Sequence, residues 1–173
     1  MKKNAALFLF MASMLHADVL FHKGALSLGV GAGNGSVTYE TNYTSTTKNY
    51  FIFGIGADYF VMDNLSVGVS LWNWSGNSPA IMQYTLPVTF YFDTGSKISP
   101  YTGVYYRYTD YIGSYTDRYG YSYNVSDAHS LGLRVGFAYR VDFGYVGIGF
   151  AAERNVDDGT TTGYPELSVG FVF

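Results

Sequence analysis

Four charged residues carry the strongest hint of chemistry: Arg107, Arg134, Glu153 and Glu166. Each stands in a stretch where bulky apolar and small residues alternate, and each takes the small-residue phase. Two guanidinium groups and two carboxylates enclosed together must pair, because an unpaired buried charge is costly. They could form an ionic plug that holds an interior together, or a constriction that selects among ions. The plug is the preferred reading. A second residue set bears on acyl transfer, which needs a nucleophile, a base and an orienting acid. His129-Ser130 is the suggestive pair. Adjacent strand residues point to opposite faces, so the two cannot enter one constellation on a regular strand. No third group is evident, and catalysis is not expected. A third set is Tyr111, Tyr115, Tyr119, Tyr121 and Tyr123, crowded into one polar segment. Tyrosine combines contact area with a hydroxyl handle, so a partner or glycan could dock on these surface-loop aromatics. An aromatic girdle is the plainer reading. Asp157-Asp158 reads as a turn, since two carboxylates alone make a poor cation site. Neither a metal nor a cofactor is expected. The chain has no cysteine, which excludes disulfides and thiolate metal sites.

These residues need elements that present alternate side chains to two sides. The sequence supplies eight such stretches: residues 25–33, 50–59, 65–74, 82–92, 101–109, 130–141, 145–154 and 164–173. In the last, Leu167, Val169, Phe171 and Phe173 share one face, and Glu166, Ser168 and Gly170 share the other. Alternation alone also fits a soluble sandwich or lipocalin. The second face decides between them. In water it should carry Lys, Glu and Gln. Here it carries more than half of the 21 glycines, with Ser, Thr and few charges. Small groups suit a narrow interior, so the bulky residues must face outward. After residue 17 no stretch offers the roughly 20 consecutive apolar residues that a spanning helix requires. A membrane form must then be a closed barrel, which leaves no backbone edge in hydrocarbon. The expected fold class is all-β, an eight-stranded antiparallel up-and-down transmembrane β-barrel. On this register the four charges lie at similar heights and are expected within salt-bridge distance of one another. Trp72 and Trp74 fall on the small-residue face, and a bulge near the outer rim is expected to turn them to the membrane interface.

Composition and the termini agree with this. Only 13% of residues are charged while 19% are aromatic, 18 of them Tyr, which suits a lipid-facing belt. Lys2 and Lys3, the apolar run 5–12 and the small residue Ala17 read as a cleaved signal peptide over residues 1–17. Residues 18–173 then form one domain. Asp and Glu number 13 against 10 Lys and Arg, which argues against nucleic acid as a partner. Residues 34–49 and 110–129 read as long polar outer loops. Met62-Asp63-Asn64 and Asp142-Phe143 read as tight periplasmic turns.

Three features carry a family likeness: Leu86-Pro87-Val88-Thr89-Phe90-Tyr91-Phe92, then Pro100-Tyr101-Thr102-Gly103-Val104, then the terminal Phe173. With them the chain resembles the small eight-stranded barrels of Gram-negative outer membranes, such as OmpX, OmpW and the OmpA membrane domain. The resemblance implies a monomer in the bacterial outer membrane, in contact with its lipid and lipopolysaccharide. Leu167, Val169, Phe171 and Phe173 resemble the C-terminal signal read by the outer-membrane assembly machinery. The expected role is structural or surface-interactive, through the outer loops. The alternative is a narrow porin-like channel for ions or small hydrophobic molecules, as the OmpW likeness implies. An adhesin and a lipid A-modifying enzyme stand behind both. Glu40-Thr41-Asn42-Tyr43-Thr44 resembles an acidic-extended glycosylation sequon, in a loop where a glycan would fit.

Overall fold

The computed structural model describes residues 20–40, 45–116 and 119–173. The expected signal peptide, residues 1–17, and the sequon residue Asn42 lie outside the described residues. Alternation with Val, Ile, Tyr and Phe on the bulky phase favours extended chain. The strands are β1 Leu26–Glu40, β2 Ser45–Met62, β3 Leu65–Ser75, β4 Ala80–Tyr91, β5 Ile98–Ile112, β6 Ser114–Thr116, β7 Ser122–Asn124, β8 Ala128–Val141, β9 Gly144–Asn155 and β10 Thr161–Val172. β6 and β7 form a small hairpin of their own. The other eight close into an antiparallel barrel in the order β1-β10-β9-β8-β5-β4-β3-β2. The start of β1 and the end of β10 meet at one end of the barrel, here the terminal end. The tight turns lie there too, with Asn64 in the left-handed conformation (φ 66°) that lets β2 reverse into β3.

The two faces separate as the alternation requires. Leu133, Ile148 and Leu167 point outward and are 60–70% exposed, at 64%, 64% and 68%. Glycines on the opposite phase lie under large interior side chains. A Cβ at Gly132 would overlap the Tyr105 ring, and one at Gly54 would overlap Trp72. Trp72 and Trp74 thus face the lumen. The β2–β3 register is regular where they sit, and its one shift lies between Phe60 and Met62, at the other end. No rim bulge turns them outward, because Gly31 and Gly54 leave room for the Trp72 ring inside.

Residues 34–49 depart from the expected loop. β1 and β2 run on as one hairpin, paired in register from Asn34↔Phe51 to Glu40↔Ser45. Their Thr, Val and Tyr residues favour strand, and their polarity reflects a position beyond the apolar band. Part of the 110–129 loop is likewise the β6–β7 hairpin.

The closure between β1 and β10 is short. It pairs Ser27↔Val172 to Val30↔Val169. Leu26 and Phe173 add reciprocal backbone bonds of 3.0 and 2.8 Å. Above Val30, β1 pairs only with β2, and above Val169, β10 pairs only with β9. Backbone groups alternate sides along an antiparallel strand, so the phase of Phe173 puts the nitrogen of Pro165 toward β1. Proline has no N–H to give there. The β3–β4 ladder is interrupted in the same way at Pro87, between Val67↔Val88 and Ser70↔Thr85.

At the terminal end the chain before β1 folds into the barrel mouth. Phe21 is 2% exposed. Its ring lies 4.2 Å from Tyr91, 5.4 Å from Phe60 and 5.7 Å from Tyr145. Backbone bonds from Asn64 to the Phe21 carbonyl (2.6 Å) and from Gly24 to the Phe60 carbonyl (2.8 Å) hold it there.

Candidate functional site

The chemistry-bearing residues meet in the lumen, in layers. The middle layer is built on Arg107 of β5 and Glu153 of β9. Arg107 Nη1 lies 2.7 Å from Glu153 Oε2, and Arg107 Nε donates to Thr85 Oγ1 at 3.1 Å. The hydroxyls of Tyr105 and Tyr164 donate to the same Glu153 oxygen at 3.0 and 3.3 Å and lie 2.8 Å from each other. The guanidinium also stands 5.0 Å from the Tyr105 ring centre and 5.5 Å from that of Tyr164. Gly132 on the intervening strand makes this possible, because the Tyr105 ring occupies the space above it.

The layer below pairs Arg134 of β8 with Glu166 of β10, Nε to Oε2, at 3.2 Å. Arg134 stands 5.3 Å from the Tyr101 ring centre, and that ring fills the space above Gly136 and Gly149. Tyr101 Oη, Arg134 Nε and Glu166 Oε2 have no aligned hydrogen-bond partner among the described residues. This pair is held by charge and ring contact rather than by directional bonds, so it is the weaker of the two. The four charges thus form two stacked ion pairs, and among the described residues no salt bridge joins one pair to the other. Asp58 of β2 is a further luminal carboxylate, lying over Gly68. The phase of its strand gave its face but nothing placed it near a partner.

Toward the far end the lumen is aromatic. The Tyr39 and Tyr50 hydroxyls lie 2.9 Å apart, and Tyr50 packs edge-on to Trp74 at 6.1 Å. Trp74 Nε1 donates to Gln83 Oε1 at 3.2 Å. The expected surface tyrosines divide here. Tyr115 is buried, 2% exposed, and stacks on Tyr39 at 5.0 Å. The β6–β7 hairpin therefore folds over the lumen mouth instead of projecting from it. Tyr111 is half-buried on the inward phase of β5, and Tyr119, Tyr121 and Tyr123 remain exposed. A signal for the luminal tyrosines existed in the sequence: Tyr101, Tyr105 and Tyr145 each pair across strands with a glycine, respectively Gly136, Gly132 and Gly170. Reading it requires the strand register.

His129 and Ser130 take opposite sides of the wall. Ser130 is buried in the lumen, while His129 is exposed and its Nδ1 lies 2.6 Å from the Tyr106 hydroxyl. Outside the barrel wall, Asp127 anchors the long loop. It accepts from the Tyr108 hydroxyl at 2.8 Å and the Tyr111 amide at 3.2 Å, and these donors hold its carboxyl below the usual aspartate range. Asp158 is held low by the Thr160 amide, as befits a turn carboxylate. Phe171 and Phe173 of the terminal tail face outward, with Phe171 stacked on Phe143 at 5.9 Å.

No protein-family model matches the chain, and no curated protein matches it in sequence. Solved structures do match in fold. The N-terminal β-barrel domain of Pseudomonas aeruginosa OprF aligns with a TM-score of 0.64 at 12% identity, covering 87% of this chain and 98% of that one. Neisserial surface protein A aligns at 0.59 with 18% identity, covering 87% and 96%. The outer membrane protein OprG from Pseudomonas aeruginosa aligns at 0.53 with 15% identity, covering 90% and 99%.

Proposed function

We propose that this chain is a bacterial outer-membrane barrel whose role is structural and surface-interactive, carried by its outer loops above an occluded lumen. The outward face supports the membrane setting: a band of Leu, Val, Ile and Phe encircles a closed barrel, where water would demand charge. The three fold counterparts support it as well. The observation that carries the occluded reading is the stack of closures along the lumen: Phe21 with its ring partners, the two ion pairs with their tyrosines, then Tyr39, Tyr50 and Tyr115. Exposed Tyr119, Tyr121 and Tyr123 offer contact area to a partner outside the cell. The outward tail Leu167, Val169, Phe171 and Phe173 fits recognition by the assembly machinery, and the chain acts as a monomer without a catalytic step.

The alternative is a narrow channel, which the unaligned polar atoms around Arg134 favour. Purified protein in planar bilayers separates the two. The occluded reading expects no reproducible single-channel steps. Steps that change in size with Arg134→Ala would establish the channel instead. A surface role expects binding to cells or matrix that is lost when residues 113–126 are removed while the barrel stays folded.

A further inference from the structure

The outer wall holds a feature that the lumen does not explain. Two rows of residues lie in register across it. The upper row runs Tyr106, Leu131, Arg154 and the lower row runs Val104, Leu133, Ala152. The small side chains of Val104 and Ala152 leave a groove of about 560 Å³ beneath the larger residues above them. Its lining is mostly apolar, with Glu153, Arg154 and Thr161 at one end, where the Arg154 side chain stands exposed. Arg154 lies nine positions up β9 from Tyr145, and about 9–11 tilted strand residues span a bilayer. The guanidinium therefore sits at the outer headgroup level. It packs over Gly159, whose left-handed conformation (φ 75°) and missing side chain leave that space open. Among the described residues no carboxylate is within ion-pair distance of it. The nearby rim carboxylates already accept bonds: Asp157 from the His129 amide, Asp158 from the Thr160 amide, and Asp127 through both oxygens.

We propose that this groove binds one acyl chain of an anionic outer-leaflet lipid and that Arg154 takes the lipid's phosphate. An unanswered cation above an apolar channel is complementary to a phosphorylated amphiphile. The site rests on the outer-membrane reading, and the experiment keeps the two apart. The full chain is refolded into neutral phosphatidylcholine vesicles. Failure to insert there defeats the membrane reading itself. With insertion secured, diphosphorylated lipid A is titrated in, and its affinity is read from the rise in unfolding midpoint. Arg154→Gln is expected to weaken that affinity at least about tenfold, as loss of a charge-assisted contact. Ala152→Phe fills the groove and is expected to abolish the rise while leaving the midpoint in pure phosphatidylcholine intact. Lys97→Gln, an exposed cation at the terminal end, is expected to change nothing. The proposal is overturned if Arg154→Gln and Ala152→Phe keep the wild-type affinity, or if dephosphorylated lipid A or free phosphate gives the same rise.

Discussion

Arg107 is surrounded by groups that answer its charge. Its side chain is 9% exposed and that of Glu153 14%, and a threonine and two tyrosines complete the layer. Removing one partner strands the other, which typically costs about 3–5 kcal/mol for a buried pair. Glu153→Gln should therefore lower the unfolding free energy in urea titrations by roughly that amount. The double variant Arg107→Met, Glu153→Leu should recover most of the loss. Equal stability of the single and double variants would mean that the pair is solvated. Asp127 behaves differently because it stands in water. Its folded pKa is depressed, so its contribution is present above the unfolded value of about 3.9. It is lost only as pH falls through the lowered folded value. Amide exchange at Tyr111 should stay slow through pH 4 and speed up below it, whereas Asp127→Asn should exchange fast throughout. The faces of the four luminal charges were legible from period-two alternation alone. Their division into two pairs was not, because heights counted along single strands omit the offset between neighbours.

Among the elements, the short β1–β10 closure is the exposed point. Each unpaired backbone group in hydrocarbon costs several kcal/mol, yet β1 and β10 part above Val30 and Val169. Pro165 adds to the opening, since it withholds a donor from the β1-facing side, although the ladder already ends four residues short of it at Val169. Pro165→Val should return that donor and lengthen the seam. The amides of Ala32 and Asn34, which share the β10-facing phase of Leu26, should then exchange more slowly and the unfolding midpoint should rise. If their exchange is unchanged, Pro165 does not set the opening. Other elements show why sequence reading stopped where it did. The bulky–small pattern located all eight wall strands. It truncated β1 and β2, because beyond the apolar band the alternation continues in polar residues. It puts Trp72 on the small-residue face, but a rim bulge is expected to turn that ring outward, and Tyr115 falls among the loop aromatics. Large rings are expected on the outer face, and only the cross-strand glycines at 31 and 54, or Tyr39 beneath Tyr115, show that the interior has room for them.

At the scale of the whole molecule, the proposed occlusion is layered rather than gated at one point. Phe21 and its ring partners fill the terminal end, two ion pairs project into the middle from the β5–β8–β9–β10 side of the wall, and an aromatic cap formed with the β6–β7 hairpin covers the far end. A layered barrier predicts that no single layer controls passage. Phe21→Ala should cost about 3–5 kcal/mol, the usual loss for a buried aromatic, because the ring lies against Phe60, Tyr91 and Tyr145. It should nevertheless leave planar bilayers silent, because the two ion pairs with their tyrosines and the far-end aromatic cap remain in the lumen above it. Arg134→Ala with Glu166→Ala should also be silent while Phe21 remains. Combining Phe21→Ala with alanine at all four paired charges should produce discrete steps, limited by the far-end tyrosines. Steps from Phe21→Ala alone would contradict the layered barrier. They would mean that the N-terminal segment is the only gate and that the ion pairs already admit ions.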